Sequence, residues 1–139
     1  MPDIELAPGA EVAPLTGVMA DLLGGNLEEK PQRIKDFNAL RANVGINATD
    51  AESQITLAFQ GGKLVVHNGL KDPDLLISAT VETLLGITNL KIKFGLPWYF
   101  DAVGLDTIKK LLNGDLKIKG MFFHPLALTR LTKVMSVAD

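Results

Sequence analysis

The side chains suited to acid–base or nucleophilic chemistry are few, and their spacing does not fit it. The only two imidazoles, His67 and His124, have no metal ligand or general base at a suitable spacing. The serines occupy no Gly-x-Ser-x-Gly elbow of the kind that exposes a nucleophile; they are Ser53, Ser78 and Ser136. The sequence therefore predicts no catalytic residue and no metal site.

Two other patterns resemble chemical motifs but have simpler interpretations. Gly61-Gly62-Lys63 lacks the upstream glycine and the following Ser or Thr of a phosphate-binding loop, and it predicts a two-residue hairpin turn instead. Asp101 and Asp106 form a carboxylate pair, but Asp106 is interpreted as the N-cap of a helix. With no cysteine, thiolate nucleophiles and disulfides are excluded. We predict a protein that is not an enzyme and needs no cofactor.

Length and charge narrow the class of protein further. A chain of 139 residues with 47% hydrophobic residues is expected to form a single domain over residues 1–139. Its net charge of −2 does not provide the basic surface that nucleic acids require. No lysine or arginine precedes Lys30, so the N-terminal region is acidic. Residues 1–10 contain two prolines and are predicted to be a loose acidic arm. No secretory or membrane-spanning segment is recognised, and we expect a cytoplasmic protein.

Two helices are predicted in the first third of the chain. Apolar residues recur at steps of three and four between Val12 and Leu22, which is the pattern of one helix face. Gly24-Gly25 is predicted to end this helix. A second helix is predicted over Glu29–Ala42, with Pro31 in its first turn.

The hydrophobic period then changes to two, which predicts β-strands. The alternating segments are 44–48, 55–59, 64–66 and 75–79. If Phe59 pairs with Leu64 across the glycine turn, both apolar sets lie on one face. We therefore predict an antiparallel meander with one apolar face.

The last third mixes both patterns. A helix is predicted after the N-cap Thr80, and a shorter one after Asp106. A Leu-Lys-Ile-Lys tetrad occurs twice, at 90–93 and 116–119, and each copy predicts a strand. A final helix begins at Pro125. Its broad apolar face comprises Ala127, Leu128, Leu131, Val134, Met135 and Ala138.

Six of the eight aromatic residues are concentrated between positions 94 and 123: Phe94, Trp98, Tyr99, Phe100, Phe122 and Phe123. Together with Met121 and Met135 they are suited to line a pocket for an apolar ligand, since methionine adapts its shape. The alternative is that some of these residues belong to an ordinary hydrophobic core and the others form a small exposed group on the surface.

The segment "LLNGDLKIKGMFFHPLALTRLTKVM", residues 111–135, resembles the C-terminal signature of the sterol carrier protein type-2 family. Its Leu-Lys-Ile-Lys-Gly element carries most of the similarity. Upstream, "ITLAFQGGKLVVHNG" and "DLLISATVETLLG" resemble the central hairpin and the following strand and helix of that family.

The resemblance implies an α+β domain: a mostly antiparallel sheet of five strands, or six if the first tetrad adds one, covered on one face by helices. An apolar tunnel between the sheet and the helices is implied to take a sterol, a fatty acyl chain or a similar lipid. The implied wall of the tunnel consists of Ile118, Met121, Leu128, Leu131, Val134 and Met135. The segment "FGLPWYF" is a candidate lid, and Phe122 and Phe123 are candidates to narrow or plug the tunnel.

Two classes of function stay open on the sequence. The first is non-catalytic binding and transfer of a lipid. In this function an anionic membrane surface would be a transient partner, attracted by a stripe of lysines. The stripe comprises Lys91, Lys93, Lys109, Lys110, Lys117 and Lys119. The second is a scaffold subunit of a lipid- or quinone-biosynthesis assembly, in which the aromatic cluster forms a homodimer or partner surface.

Overall fold

The computed structural model describes residues 3–10, 14–51, 53–87, 92–93, 96–97, 102–120 and 124–135. The strands are β1 (Asp3–Leu6), β2 (Arg41–Ala48), β3 (Ser53–Gln60), β4 (Lys63–Asn68), β5 (Leu75–Ala79), β6 (Ile92–Lys93), β7 (Leu96–Pro97) and β8 (Lys117–Lys119). The helices are α1 (Pro14–Glu29), α2 (Ile34–Ala39, after a 3₁₀ turn at Pro31–Arg33), α3 (Val81–Ile87), α4 (Ala102–Asn113) and α5 (Pro125–Met135).

Six of the strands form one mixed sheet in the order β1-β4-β3-β2-β5-β8. Three neighbouring pairs are antiparallel, whereas β1 runs parallel to β4 and β2 runs parallel to β5. The apolar side chains of the central strands face α1, α2 and α5 and form the core with them. The predicted α+β class, a mostly antiparallel sheet with helices, is confirmed.

The β3–β4 hairpin has the predicted register. Gly61 and Gly62 adopt φ values of +69° and +98°, which the two-residue turn requires and which glycine adopts without steric cost. Phe59 pairs with Leu64, and Leu57 pairs with Val66. All four side chains are buried on the helix-covered face, as the alternation predicts.

The predicted meander is wrong at β5. This strand does not follow β4 in the sheet but lies beside β2 and parallel to it. The connecting loop, residues 69–74, crosses the face of the sheet that the helices leave open. It passes so close to β2 that a Cβ on Gly45 would lie 3.0 Å from Leu70 and 3.1 Å from Pro73.

The predicted loose arm is wrong for its central part. Residues 3–6 form β1, an edge strand whose partners run from Lys63 to Val66 on β4. Lys63 Nζ also lies 3.5 Å from a carboxylate oxygen of Glu5. The sixth strand of the sheet is therefore β1 and not the first tetrad, residues 90–93. Of that tetrad the structure describes Ile92 and Lys93, which pair with β7 in a separate two-stranded sheet.

Two predicted helix ends are also wrong. α1 continues through Gly24-Gly25 because Leu23 and Leu27 are both fully buried, and this packing outweighs the low helix propensity of glycine. The second predicted helix stops at Ala39 rather than Ala42, because Arg41 already begins β2.

The start of α4 differs from the prediction as well. The helix begins at Ala102, so Asp106 lies inside it rather than at its N-cap. There its carboxylate lies 3.4 Å from Lys110 Nζ, one helical turn away. Gly114, with φ of +82°, follows the end of the helix as predicted.

None of the helices in the described part of the chain has the length and apolar character needed to cross a bilayer.

Candidate functional site

An apolar cavity of about 290 Å³ lies between the inner face of the sheet and the helices. Strand β2 supplies its floor, α1 and α3 supply walls, and the end of α5 closes one side. The lining residues are Leu15, Val18, Met19, Leu22, Ile46, Ala48, Ala51, Ser53, Val81, Leu84 and Met135.

The space exists because small residues stand where the sheet meets the helices. Ala48 is fully buried on the inner face of β2 and fills little of the gap in front of it. Leu15, Met19 and Leu22 project from α1 at steps of four and three, so they share one face of the helix. The result is a cavity at the lower end of the volumes usual for small-molecule sites, about 300–1,000 Å³.

The cavity is chemically uniform. Among the described residues that line it, Ser53 has the one polar side chain and none is ionisable. Val18 lines the cavity but is 50% exposed to solvent, which places it at an opening between α1 and the sheet. Such a space suits an apolar molecule that enters from the surface.

A second apolar cavity of about 50 Å³ adjoins the first, and Ile46, Leu84 and Met135 line both. Its other lining residues come from β5, α4, β8, α5 and the turn before β8: Ile77, Thr107, Leu116, Ile118, Leu128, Leu131 and Thr132. The two cavities follow the inner face of the sheet from β2 toward β8.

The structure brings together four of the predicted tunnel residues. Ile118, Leu128 and Leu131 line the smaller cavity, and Met135 lines both. Val134 is fully buried but lines neither of these two cavities.

The predicted apolar face of the last helix did not include Thr132, although this residue lies on the buried side of α5. The residue is 7% exposed and lines the smaller cavity. Its hydroxyl donates a hydrogen bond to the Leu128 carbonyl one turn earlier (2.9 Å), which satisfies the buried polar group within the helix.

The remaining predicted site residues lie outside the described part of the chain. They are Phe94, Trp98, Tyr99, Phe100, Met121, Phe122 and Phe123. The lid and the plug assigned to these residues therefore stay predictions, as does the aromatic contact surface.

The contribution of α1 to the cavity was missed from the sequence. The sequence predicts the apolar face of α1, but the predicted site includes no residue of this helix. A signal was present, because Val18 beside Met19 widens the apolar face beyond what one buried stripe needs.

The end of α5 is held in place by polar contacts that position Met135. Asn26 Nδ2, buried in α1, donates to the carbonyls of Val134 (3.2 Å) and Met135 (2.9 Å), which are among the orphan acceptors of the last turn. Lys133 Nζ donates to Asp36 Oδ1 of α2 at 2.9 Å, and both side chains are largely buried. The cavity wall is thus anchored to two other helices.

No arrangement suited to acid–base or metal chemistry appears among the described residues. They contain no group of three or more His, Asp or Glu side chains able to hold a metal ion. His67 lies on the outer face of the sheet, opposite Thr56 and away from both cavities.

Comparison with solved structures places the fold. A protein described as the UbiJ-SCP2 ubiquinone synthesis protein superposes with a TM-score of 0.64 at 15% identity, over 90% of this chain and 96% of that one. Sterol carrier protein 2 superposes with a TM-score of 0.50 at 15% identity, over 86% and 94% of the two chains. The chain therefore has the sterol carrier protein type-2 fold, as its sequence resemblance implies.

The same fold also occurs inside a larger enzyme. The inverting sec-alkylsulfatase Pisa1 from Pseudomonas sp. matches with a TM-score of 0.50 at 18% identity, over 76% of this chain but only 14% of the enzyme chain. No family model matches the sequence, and no curated protein matches it either.

Proposed function

We propose that this protein is a non-catalytic cytoplasmic carrier that binds a lipid or a similar apolar molecule between its sheet and its helices. The observation that carries the proposal is the cavity of about 290 Å³, whose described lining residues are apolar except for Ser53. The fold shared with sterol carrier protein 2 supports the same interpretation.

The volume indicates the size of ligand. At about 30 Å³ per methylene-sized group, taken from the volume of water, the cavity holds about ten such groups. Burying about ten methylenes contributes about 8 kcal/mol before ordering costs, at about 0.8 kcal/mol each, so affinity up to about micromolar needs no polar contact. We therefore favour a single alkyl or acyl chain, because a fused sterol ring system needs a larger space.

Within this proposal the lining residues of both cavities form the binding wall, with Met135 at the junction. Phe94, Trp98, Tyr99 and Phe100 are proposed as the lid. Phe122 and Phe123, together with Met121, are proposed to set how far the ligand extends beyond β8.

Exchange of a lipid requires contact with a membrane, and α4 is the proposed contact. Leu105, Ile108 and Leu112 are spaced three and four residues apart and are 56%, 37% and 81% exposed. Lys109 adjoins this stripe, and the opposite side of the helix places Thr107 in the wall of the smaller cavity. α4 contains two lysines, Lys109 and Lys110, and one aspartate, Asp106, so the helix is positive in a chain of net charge −2, which favours an anionic lipid surface.

A second candidate is a subunit of a quinone-synthesis assembly. The likeness to the UbiJ-SCP2 ubiquinone synthesis protein, over 96% of that chain, favours it. In this case the cavity holds an apolar quinone precursor or none, and the aromatic cluster forms a partner or homodimer surface.

Native mass spectrometry of gently purified protein distinguishes these candidates. The carrier proposal expects an adduct of lipid mass that organic extraction removes and that added decanoic acid restores. A ligand-free mass that resists loading with decanoic acid contradicts it. A concentration-dependent dimer without an adduct favours the second candidate.

Flotation with vesicles of phosphatidylcholine and phosphatidylglycerol tests the contact through α4. Binding is expected to require phosphatidylglycerol, to weaken with salt and to decrease in Leu105→Ser. The matched control is Leu126→Ser, which removes another leucine, 59% exposed, from α5. Equal losses in both variants contradict the assignment to α4.

A further inference from the structure

The outer face of the sheet carries an open polar groove of about 670 Å³, which the carrier function does not explain. We propose that this groove binds the phosphate group of a phosphorylated ligand. Lys117 and Lys119 supply the charge, and Asn47 and Ser78 supply hydrogen bonds. The inference does not rest on the proposed function, because the groove and the apolar cavities lie on opposite faces of the sheet. Successive residues of a strand point to opposite faces, so the cavities are lined by the neighbours of the groove residues, namely Ile46, Ala48 and Ile118.

Strand register brings the polar side chains together. Asn47 pairs with Ser78, and Ser78 pairs with Lys117, so the three form one row across β2, β5 and β8. Lys119 pairs with Leu76, two residues along, and therefore projects from the same face. At about 4.8 Å between strands, the row spans about 10 Å, which the flexible lysine side chains can bridge over Ser78.

These side chains are not occupied by the protein itself. Within the described residues, those of Asn47, Ser78, Lys117 and Lys119 take part in no hydrogen bond or ion pair. The other half of the same face is different, because there the crossing loop binds Thr56, whose hydroxyl donates to Gly69 O (2.8 Å) and accepts from Lys71 N (2.9 Å). Asn47, Ser78, Lys117 and Lys119 lie in the half that the loop leaves open.

The donor set selects the ligand class. The groove is lined by two ammonium groups against one carboxylate, that of Asp115, which forms no ion pair with another described residue. Lysine attracts phosphate as a point charge, while amide and hydroxyl groups donate to its oxygens. Lysines on an edge strand also discourage strand addition, but that role does not require free donors on the two neighbouring strands.

The position of the groove suggests two sources of phosphate. The first turn of α3 separates groove from cavity: Thr80 and Thr83 line the groove, whereas Val81 and Leu84 line the cavity. A phosphorylated amphiphile would place its head group beside its own tail, and a free phosphorylated metabolite would use the groove alone. Both share the chemistry proposed here.

Titration of ¹⁵N-labelled protein with inorganic phosphate and glycerol 3-phosphate tests the site. We expect saturable shifts of the amides of Asn47, Ser78 and Lys117, and binding at least tenfold weaker in K117Q/K119Q. The matched control K35Q/R41Q removes the same charge from exposed positions outside the groove and is expected to bind as the wild type does. Shifts that do not saturate, or equal weakening in the control, overturn the proposal.

Two additions keep the test decisive. If K117Q/K119Q loses amide dispersion, Ser78→Ala replaces it, and unchanged phosphate binding by Ser78→Ala then overturns the proposal. Decyl phosphate distinguishes the two sources of phosphate. If it binds more tightly than glycerol 3-phosphate and shifts the amide signal of Leu84, the result supports a lipid head group. Equal binding without those shifts supports a free phosphorylated metabolite.

Discussion

Filling the cavity should have opposite effects on stability and on ligand binding. Ala48 is fully buried, lies on β2 and faces the cavity of about 290 Å³. Ala48→Leu adds three carbon atoms, about 90 Å³ at about 30 Å³ each, and so fills about a third of that space. Because these carbons enter space that is already present, the ligand-free protein gains up to about 2 kcal/mol at about 0.8 kcal/mol per carbon.

The same three carbons displace about three methylenes of a bound chain. The binding free energy therefore falls by about 2.4 kcal/mol, which weakens affinity about 50-fold. We expect a melting temperature up to about 7 °C higher without ligand and a much smaller further increase with decanoic acid. Differential scanning calorimetry and isothermal titration calorimetry measure the two effects.

Ala42→Leu is the matched control. Ala42 lies on the same strand and the same face, is 8% exposed, and lines neither described cavity. It pairs with Phe59, which packs against Phe37, so added carbons overpack the core and cost about 1–3 kcal/mol. If Ala48→Leu destabilises as much as Ala42→Leu does, or if it leaves ligand affinity unchanged, the space in front of Ala48 is not the binding site.

Two further predictions concern the frame around the site. Gly120→Ala should lower the free energy of unfolding, measured by urea denaturation, by several kcal/mol, because φ is +88° and a Cβ would clash with the Asp74 carbonyl oxygen. Gly114→Ala, with φ of +82° but open space around it, should lower it by only about 1 kcal/mol, and equal losses in the two variants would refute the clash. Asn26→Ala should lower the free energy of unfolding by about 1–3 kcal/mol, because two carbonyls of α5 lose their hydrogen-bond donor. The control Asn113→Ala, at an exposed position, should change it by less than about 0.5 kcal/mol. An Asn26→Ala protein as stable as the wild type would contradict the role of Asn26 in holding α5.

Features set by neighbouring residues were predictable from the sequence. The β3–β4 register follows from Gly61-Gly62 and the alternation around it, and the start of α5 follows from Pro125. Thr80 was recognised as a cap, and its hydroxyl accepts the hydrogen bond from Thr83 N at 3.2 Å.

Features set by distant contacts were not predictable in this way. β1 forms where β4, about sixty residues later in the chain, offers hydrogen-bonding groups that β3 leaves unpaired. The polar–apolar alternation of β1 covers only four residues, which is the shortest run that predicts a strand. The parallel placement of β5 depends on the course of residues 69–74 over Gly45. The cavity likewise arises where Ala48 meets α1, and no single segment encodes a gap between two elements.

The order of contacts along the chain also has a consequence for folding. The β3–β4 hairpin closes across two residues, and β2 joins it from a short distance, whereas α5 packs on α1 and α2 from about a hundred residues away. Local pairings form early and distant ones late, because closing long loops costs more entropy. We therefore expect the central strands to exchange their amide hydrogens last and α5 to open first. Such a partial opening detaches the helix that closes the cavity while the sheet stays intact, so a slow exchange route for the ligand is built into the folding order.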